Sequence, residues 1–251
     1  MAKRSARRAS RRMHENAHYP DTDNVRRLFD EPQWSPMEEP NRDQKYRKNI
    51  RAQNDSQQAM LDAIDANPLV FAMGAAGTGK TYLAVAKAVE ALDAGDVRRI
   101  ILSRPAVEAG ESLGFLPGDL EDKLSPYLRP LYDALCDRLS SKRLKALMAE
   151  GVIEIAPIAY MRGRTLNNAY IVIDEAQNCT YGQLKMLLTR LGWNSSMVVT
   201  GDPEQSDLLP GMSGLKEVGE KLEDLDKVAL IRFSRSDVVR HPLVADMIDA
   251  L

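Results

Sequence analysis

The segment Gly74-Ala-Ala-Gly-Thr-Gly-Lys80-Thr81 fits the pattern G-x-x-x-x-G-K-[ST], and its flanks restrict what it can fold into. The apolar run Leu69-Val70-Phe71-Ala72-Met73 before it reads as a buried strand, and Tyr82 to Val89 after it reads as a helix. A strand–loop–helix of this kind aims several backbone N–H groups and a helix N-terminus at one point, which favours a polyphosphate. The glycines permit the tight turn and the close backbone approach. The loop residues Gly74, Ala75, Ala76, Gly77, Thr78, Gly79, Lys80 and Thr81 are therefore expected to bind a nucleoside triphosphate. Lys80 would reach the β- and γ-phosphates, and the Thr81 hydroxyl would hold Mg²⁺.

Around this loop the chain alternates helices with apolar strands. Asp55 or Ser56 is expected to cap a helix with the stripe Met60, Leu61 and Ile64. Further strands are read at 99–103, 153–155, 170–173, 197–200 and 228–231. Two helices are expected within 126–150, ending at Gly151. Leu184, Leu187, Leu188 and Leu191 recur at helical spacing, as do Val244, Met247, Ile248 and Leu251 near the end. Continuous apolar strands between amphipathic helices predict an α/β fold with a mostly parallel sheet covered on both faces.

A second motif supplies what a phosphate loop alone lacks. Ile171-Val172-Ile173-Asp174-Glu175 places two carboxylates at the end of a buried strand, where ligands of parallel sheets gather. Asp174 suits Mg²⁺, and Glu175 suits the polarisation of an attacking water. A third strand end, Val198 to Gln205, offers Gln205 to contact the γ-phosphate or orient water, with Asp202 in support; an ordinary strand exit with a capping Asp is the alternative. Gln57 has an amide suited to an adenine edge, or is a polar residue of a first helical turn.

Composition narrows the classes. No apolar run reaches the ~20 residues of a membrane span, and the basic N-terminus is followed by no apolar core, so no secretory signal is expected. Cys136 and Cys179 are the two cysteines and show no metal-ligand spacing, which points to a reduced, cytoplasmic compartment. Residues 1–12 contribute +6 to a total of −2, leaving −8 for the remainder. Residues 1–50, polar and punctuated by prolines, are expected to form a flexible arm, with the folded domain at 51–251. Such a basic arm could bind nucleic acid, stay solvated or serve a protein partner.

Longer phrases carry a more specific likeness. GAAGTGKTYLAV (74–85), SRPAVEAGESLGFLPGDLEDKLSPYLRPLYDAL (103–135), IEIAPIAYMRGRTLNNAYIVIDEAQN (153–178), KMLLTRLG (185–192), VVTGDPEQSDL (198–208) and DVVRHPLV (237–244) together resemble the PhoH family of phosphate-starvation-inducible ATPases. The resemblance implies a RecA-like P-loop core similar to that of superfamily-one helicases, with ATP and Mg²⁺ as cofactors and RNA or DNA as a partner. It gives Lys80, Thr81, Asp174, Glu175 and Gln205 the roles argued above, and Gln57 the adenine role. No phrase resembles the PIN nuclease domain that some members carry, so no nuclease activity is expected.

Superfamily-one helicases draw a catalytic arginine from a second core domain, for which about 200 ordered residues leave no room. A neighbouring subunit is the expected donor, with Arg240 first and Arg235 second; pairing of Arg240 with Asp237, or a capping role, is the alternative. A head-to-tail interface that closes predicts a homo-oligomeric ring, expected to be a hexamer. Arg104, Arg162 and Arg164, together with Arg129 and Arg190, are candidates for single-stranded nucleic acid, for nucleotide phosphates across an interface, or for pairing with acids. The expected function is Mg-dependent ATP hydrolysis coupled to nucleic-acid remodelling, in the manner of an RNA helicase. A nucleotide-governed switch or adaptor is the second class, and a kinase the third.

Overall fold

The computed structural model describes residues 50–105 and 120–239. In chain order the elements are α1 (Asp55–Ala66), β1 (Leu69–Gly74), α2 (Lys80–Ala94), β2 (Arg99–Ser103), α3 (Leu120–Cys136), α4 (Ser141–Ala149), β3 (Ile153–Ile155), β4 (Ala169–Ile173), α5 (Tyr181–Leu188), β5 (Ser196–Gly201), α6 (Leu215–Leu222) and β6 (Val228–Phe233). Short 3₁₀ turns lie at Ile158–Met161, Ala176–Asn178 and Arg235–Asp237. The strands pair in the order β3-β2-β4-β5-β1-β6, every pair parallel.

Alternation along each strand divides the core into two layers. Phe71, Met73, Ile171, Ile173, Met197 and Val199 face one layer with Leu184 and Leu187 of α5 and Leu215 and Val218 of α6. The opposite layer holds α1 and α2, where Ala84, Ala86 and Ala88 are fully buried. These small side chains let α2 lie close to the strands, which brings its first turn, Lys80 and Thr81, over the strand ends. Because every strand runs the same way, the C-terminal ends of β1, β2, β4 and β5 converge at one rim.

Three local expectations are corrected. The cap of α1 is Asn54, whose carboxamide oxygen accepts from the Gln57 N–H at 2.8 Å, and Asp55 and Ser56 already lie inside the helix. Leu191 keeps the apolar spacing of α5 but lies beyond its end, where it pairs with Leu166 in a parallel bridge. The first of the helices expected within 126–150 begins earlier, at Leu120. The expected terminal helix, Arg240 and the arm of residues 1–49 lie outside the described residues. Among the described residues no helix is long and apolar enough to cross a membrane.

The junction of β1 with the phosphate loop is tight. Gly74 closes β1 opposite Phe233 with φ +133°, and a Cβ built there would lie 2.0 Å from the Phe233 carbonyl oxygen. Gly74→Ala is expected to cost about 2–4 kcal/mol through overpacking and backbone strain together, read as a lower denaturant midpoint at unchanged slope.

Candidate nucleotide site

The loop between β1 and α2 wraps around the Lys80 side chain. Its Nζ donates to the carbonyl oxygens of Gly74 at 2.6 Å and Ala75 at 2.7 Å, and to Thr78 Oγ1 at 3.2 Å. Burial pushes the Lys80 pKa below the ordinary lysine value, and the carboxylates of Asp202, Glu175 and Asp174 pull it back. The loop is braced from two sides. Gln57, itself buried, donates through Nε2 to the Thr78 carbonyl at 2.9 Å and accepts at Oε1 from the Gln53 N–H at 2.8 Å. Its amide thus uses one donor and one acceptor position within the chain and keeps one of each. From the other side the Val239 N–H donates to the Gly77 carbonyl at 3.0 Å, and Asn54 Nδ2 ties the same segment to α1 through the Asp237 carbonyl at 3.1 Å.

Asp174 follows the last residue of β4 and is 2 % exposed. One of its oxygens, Oδ1, accepts from two hydroxyls, Thr81 Oγ1 of α2 and Thr200 Oγ1 of β5, each at 2.6 Å. The other, Oδ2, lies 3.8 Å from Arg104 Nη1. Glu175 next to it has a left-handed backbone, φ +52° and ψ +40°, which β-strand exits do not require and which turns its side chain into the cleft rim. Arg104 Nη2 donates to Glu175 Oε1 at 3.2 Å, while Gln177 Nε2 donates to Glu175 Oε2. Gln177, also buried, accepts at Oε1 from the Asp202 N–H at 3.1 Å, and its Nε2 reaches the Gln205 carbonyl at 3.4 Å. Asn178 and Asp207 exchange side-chain and backbone hydrogen bonds at 2.8 Å each, which pins the loop carrying Gln205 against the turn after β4.

A cavity of about 290 Å³ opens between these groups, lined by Gly79, Lys80, Thr81, Asp174, Glu175 and Gln205 among others. A larger one of about 630 Å³ adjoins it on the far side of Gly74 and Ala75 and includes Asp202, Gln205, Phe233 and Arg235. The arrangement can neutralise a polyphosphate with Lys80 and backbone amides, and can hold a hard cation on oxygen donors.

Thr200 and Gln177 were not read from the sequence, and of the alternatives open for Arg104 the structure shows pairing with acids. Gln177 stands in the DEAQ run and Thr200 at the end of an apolar strand, so each had a positional signal; their partners lie on other strands. Arg104 is the nucleic-acid candidate that sits nearest this cleft, tied to both carboxylates. Arg164 grips Glu154 of β3 through two hydrogen bonds at 2.5 and 2.7 Å, which lowers the Glu154 pKa. Arg162 is exposed, and so is Arg235 on the wall of the larger cavity.

A family model described as "PhoH-like protein" matches residues 49–251. The chain belongs to the PhoH family. It is 58% identical over 204 residues to the PhoH-like protein of Bacillus subtilis (strain 168), covering 81% of this chain and 64% of that protein. It is 48% identical over 205 residues to Protein PhoH of Escherichia coli (strain K12), covering 80% and 58% respectively. This PhoH-family chain therefore spans about three-fifths of the length of the curated relatives it matches. Among solved structures it is similar to the large terminase from a thermophilic bacteriophage in complex with ADP, with a TM-score of 0.48 at 12% identity, covering 78% of this chain and 49% of that one. It is also similar to the Pif1 helicase from Candida albicans, with a TM-score of 0.40 at 14% identity, covering 80% and 43%. The fold of the PhoH-family chain is a six-stranded, all-parallel α/β sheet with the G-x-x-x-x-G-K-[ST] loop between β1 and α2.

Arg104 touches both acids without lining the cavity around Lys80. Arg104→Ala is expected to lower kcat for Mg-ATP about 10–100-fold, the range for outer partners of a metal site, with KM within a few-fold and partial recovery in Arg104→Lys. Steady-state kinetics of the three proteins check this.

Proposed function

We propose that the chain is a Mg²⁺-dependent ATPase that couples hydrolysis to binding or remodelling single-stranded nucleic acid, most readily RNA, as a homo-oligomer. The observation that carries the ATPase reading is Asp174, buried beside the phosphate loop and holding the Thr81 hydroxyl, with Glu175 next to it at the cleft rim. Thr81 and Asp174 offer the hard oxygen donors that Mg²⁺ takes, and the donor set leaves coordination positions to phosphate and water. When bound, the ion would neutralise charge on the β- and γ-phosphates. In this reading Lys80 exchanges the carbonyls of Gly74 and Ala75 for phosphate oxygens. Glu175 accepts a proton from the attacking water, and Gln205 stands at the cavity wall to orient it. Gln57 supports the base-binding side through Thr78.

Among the described residues that line the Lys80 cavity there is no arginine, and Arg104 is committed to two acids. That supports a transition-state cation from a neighbouring copy, Arg240 or Arg235, in a closed head-to-tail ring of about six subunits. A nucleotide-dependent switch is the second reading. It is favoured by the engagement of both Glu175 oxygens, which restrains the base until a partner displaces one donor.

Phosphate-release assays separate the two. Lys80→Ala is expected to abolish turnover, and Glu175→Gln to lower it about 10²–10⁴-fold while keeping ATP binding. Single-stranded RNA is expected to raise the rate of the parent protein; a rate indifferent to RNA and DNA favours the switch. Arg240→Ala is expected to keep the assembled mass and lower kcat about 10³-fold or more. Normal turnover in an intact assembly would remove Arg240 from the role.

A further inference from the structure

A second rim of the sheet carries side chains that the nucleotide site does not use. Residues 162–168 lead into β4 and residues 189–195 lead into β5, so both lie at the strand starts, opposite the phosphate loop. The two segments are stitched together. The Leu166 N–H donates to the Arg190 carbonyl at 2.9 Å, the Gly192 N–H to the Leu166 carbonyl at 3.2 Å, and Arg190 Nη1 to the Arg164 carbonyl at 3.0 Å. Gly192 sits where a Cβ would meet Asn167 Oδ1 at 2.1 Å, so no larger residue fits this contact. Trp193 is held on both sides of its backbone. Its N–H donates to Asn167 Oδ1 at 2.8 Å, and its carbonyl accepts from the Asn168 N–H at 2.9 Å. Its side chain nevertheless stands 84 % exposed.

The two sequence segments that meet here carry charge of one sign. From Ala156 to Tyr170 the chain carries Arg162 and Arg164 and no acid; from Ala176 to Thr200 it carries Lys185 and Arg190 and no acid. This is unusual in a chain that is net acidic beyond residue 12. Arg164 is neutralised by Glu154, whereas Arg162 and Lys185 are exposed. The acids on the other side of the Asn194–Ser196 turn, Asp65 and Glu90 with Asp96, line a separate cavity in which Lys87 pairs with the first two. A polyanion meeting Trp193 has Arg190 within the same stitched pair of segments and the exposed Arg162 at the start of the segment bonded to it.

Resting on the nucleic-acid part of the function proposed above, we propose that Trp193, with Arg162, Lys185 and Arg190, forms a stacking platform for single-stranded nucleic acid. A base lies on the indole face, and the cations follow the phosphodiester backbone. Every base has a π-face, so the platform binds without sequence preference. The backbone that carries the indole is fixed before binding, which lowers the entropic cost of the contact. The site lies at the opposite rim from ATP, so both ligands fit at once.

The test uses the full chain with Trp34→Phe, which leaves Trp193 as the one tryptophan. A labelled oligouridylate of about 12 nucleotides is titrated with a non-hydrolysable ATP analogue present, following indole emission and label anisotropy at several salt concentrations. The expected result is saturable quenching of Trp193. Trp193→Ala weakens binding roughly 5- to 150-fold, and Trp193→Phe keeps the affinity within a few-fold. Arg162→Ala flattens the dependence of log affinity on log salt by about 0.7. A melting midpoint for Trp193→Ala within about 2 °C of the parent shows the fold intact. Equal affinity in Trp193→Ala, with an unquenched indole in the parent, overturns the platform and leaves nucleic-acid binding elsewhere on the chain standing. Absence of RNA and DNA binding by the parent overturns both. Unchanged RNA affinity with lost self-association in Trp193→Ala overturns the platform and makes this rim a protein contact.

Discussion

One carboxylate oxygen organises the rim at the strand ends. Asp174 Oδ1 accepts from hydroxyls on two elements, α2 and β5, with the residue 2 % exposed. A buried carboxylate is costly unless its oxygens find partners; here two hydroxyls donate to Oδ1 and the Arg104 guanidinium faces Oδ2 at 3.8 Å. The same contacts fix the height of the phosphate loop's helix relative to β4 and β5. Through Arg104 and Gln177 the constraint spreads to Glu175, Asp202 and Gln205, so the ends of β2, β4 and β5 form one polar unit.

The central strands were legible because they are buried on both faces. Arg99–Ser103 and Ile153–Ile155 have the bounds that apolar runs suggest; β1, β4 and β5 take in Gly74, Ala169, and Ser196 with Gly201 at their ends, and β6 continues through Arg232 to Phe233. α6 was not read, although Leu215, Val218 and Leu222 keep helical spacing; its Gly219 lets Met73 pack against the helix, which a sequence cannot show. In the site, the loop and the two acids announce themselves by spacing. Gln177 and Thr200 do not, because their partners are brought in by sheet order. Arg104 and Arg164 read as cations for a polyanion or for pairing with acids, and the sequence could not name those acids, Glu175 with Asp174 and Glu154, because they are brought in from elsewhere in the sheet.

Sheet polarity separates two kinds of chemistry. The strand ends gather acids, hydroxyls and Lys80, a set suited to a metal–phosphate complex. The strand starts at β4 and β5 gather an exposed aromatic ring and positive charge. The α/β crossovers connect these rims, and β4 and β5 themselves, running from Trp193's turn to Asp174 and Gly201, are the most direct rigid path between them.

The hydrogen bond from the Val239 amide to the Gly77 carbonyl couples distant parts of the chain. Gly77 lies within the phosphate loop, and Val239 lies beyond the 3₁₀ turn that follows β6. The bond therefore holds the phosphate loop and the segment beyond β6 at one separation, so a substitution that shifts either displaces the other.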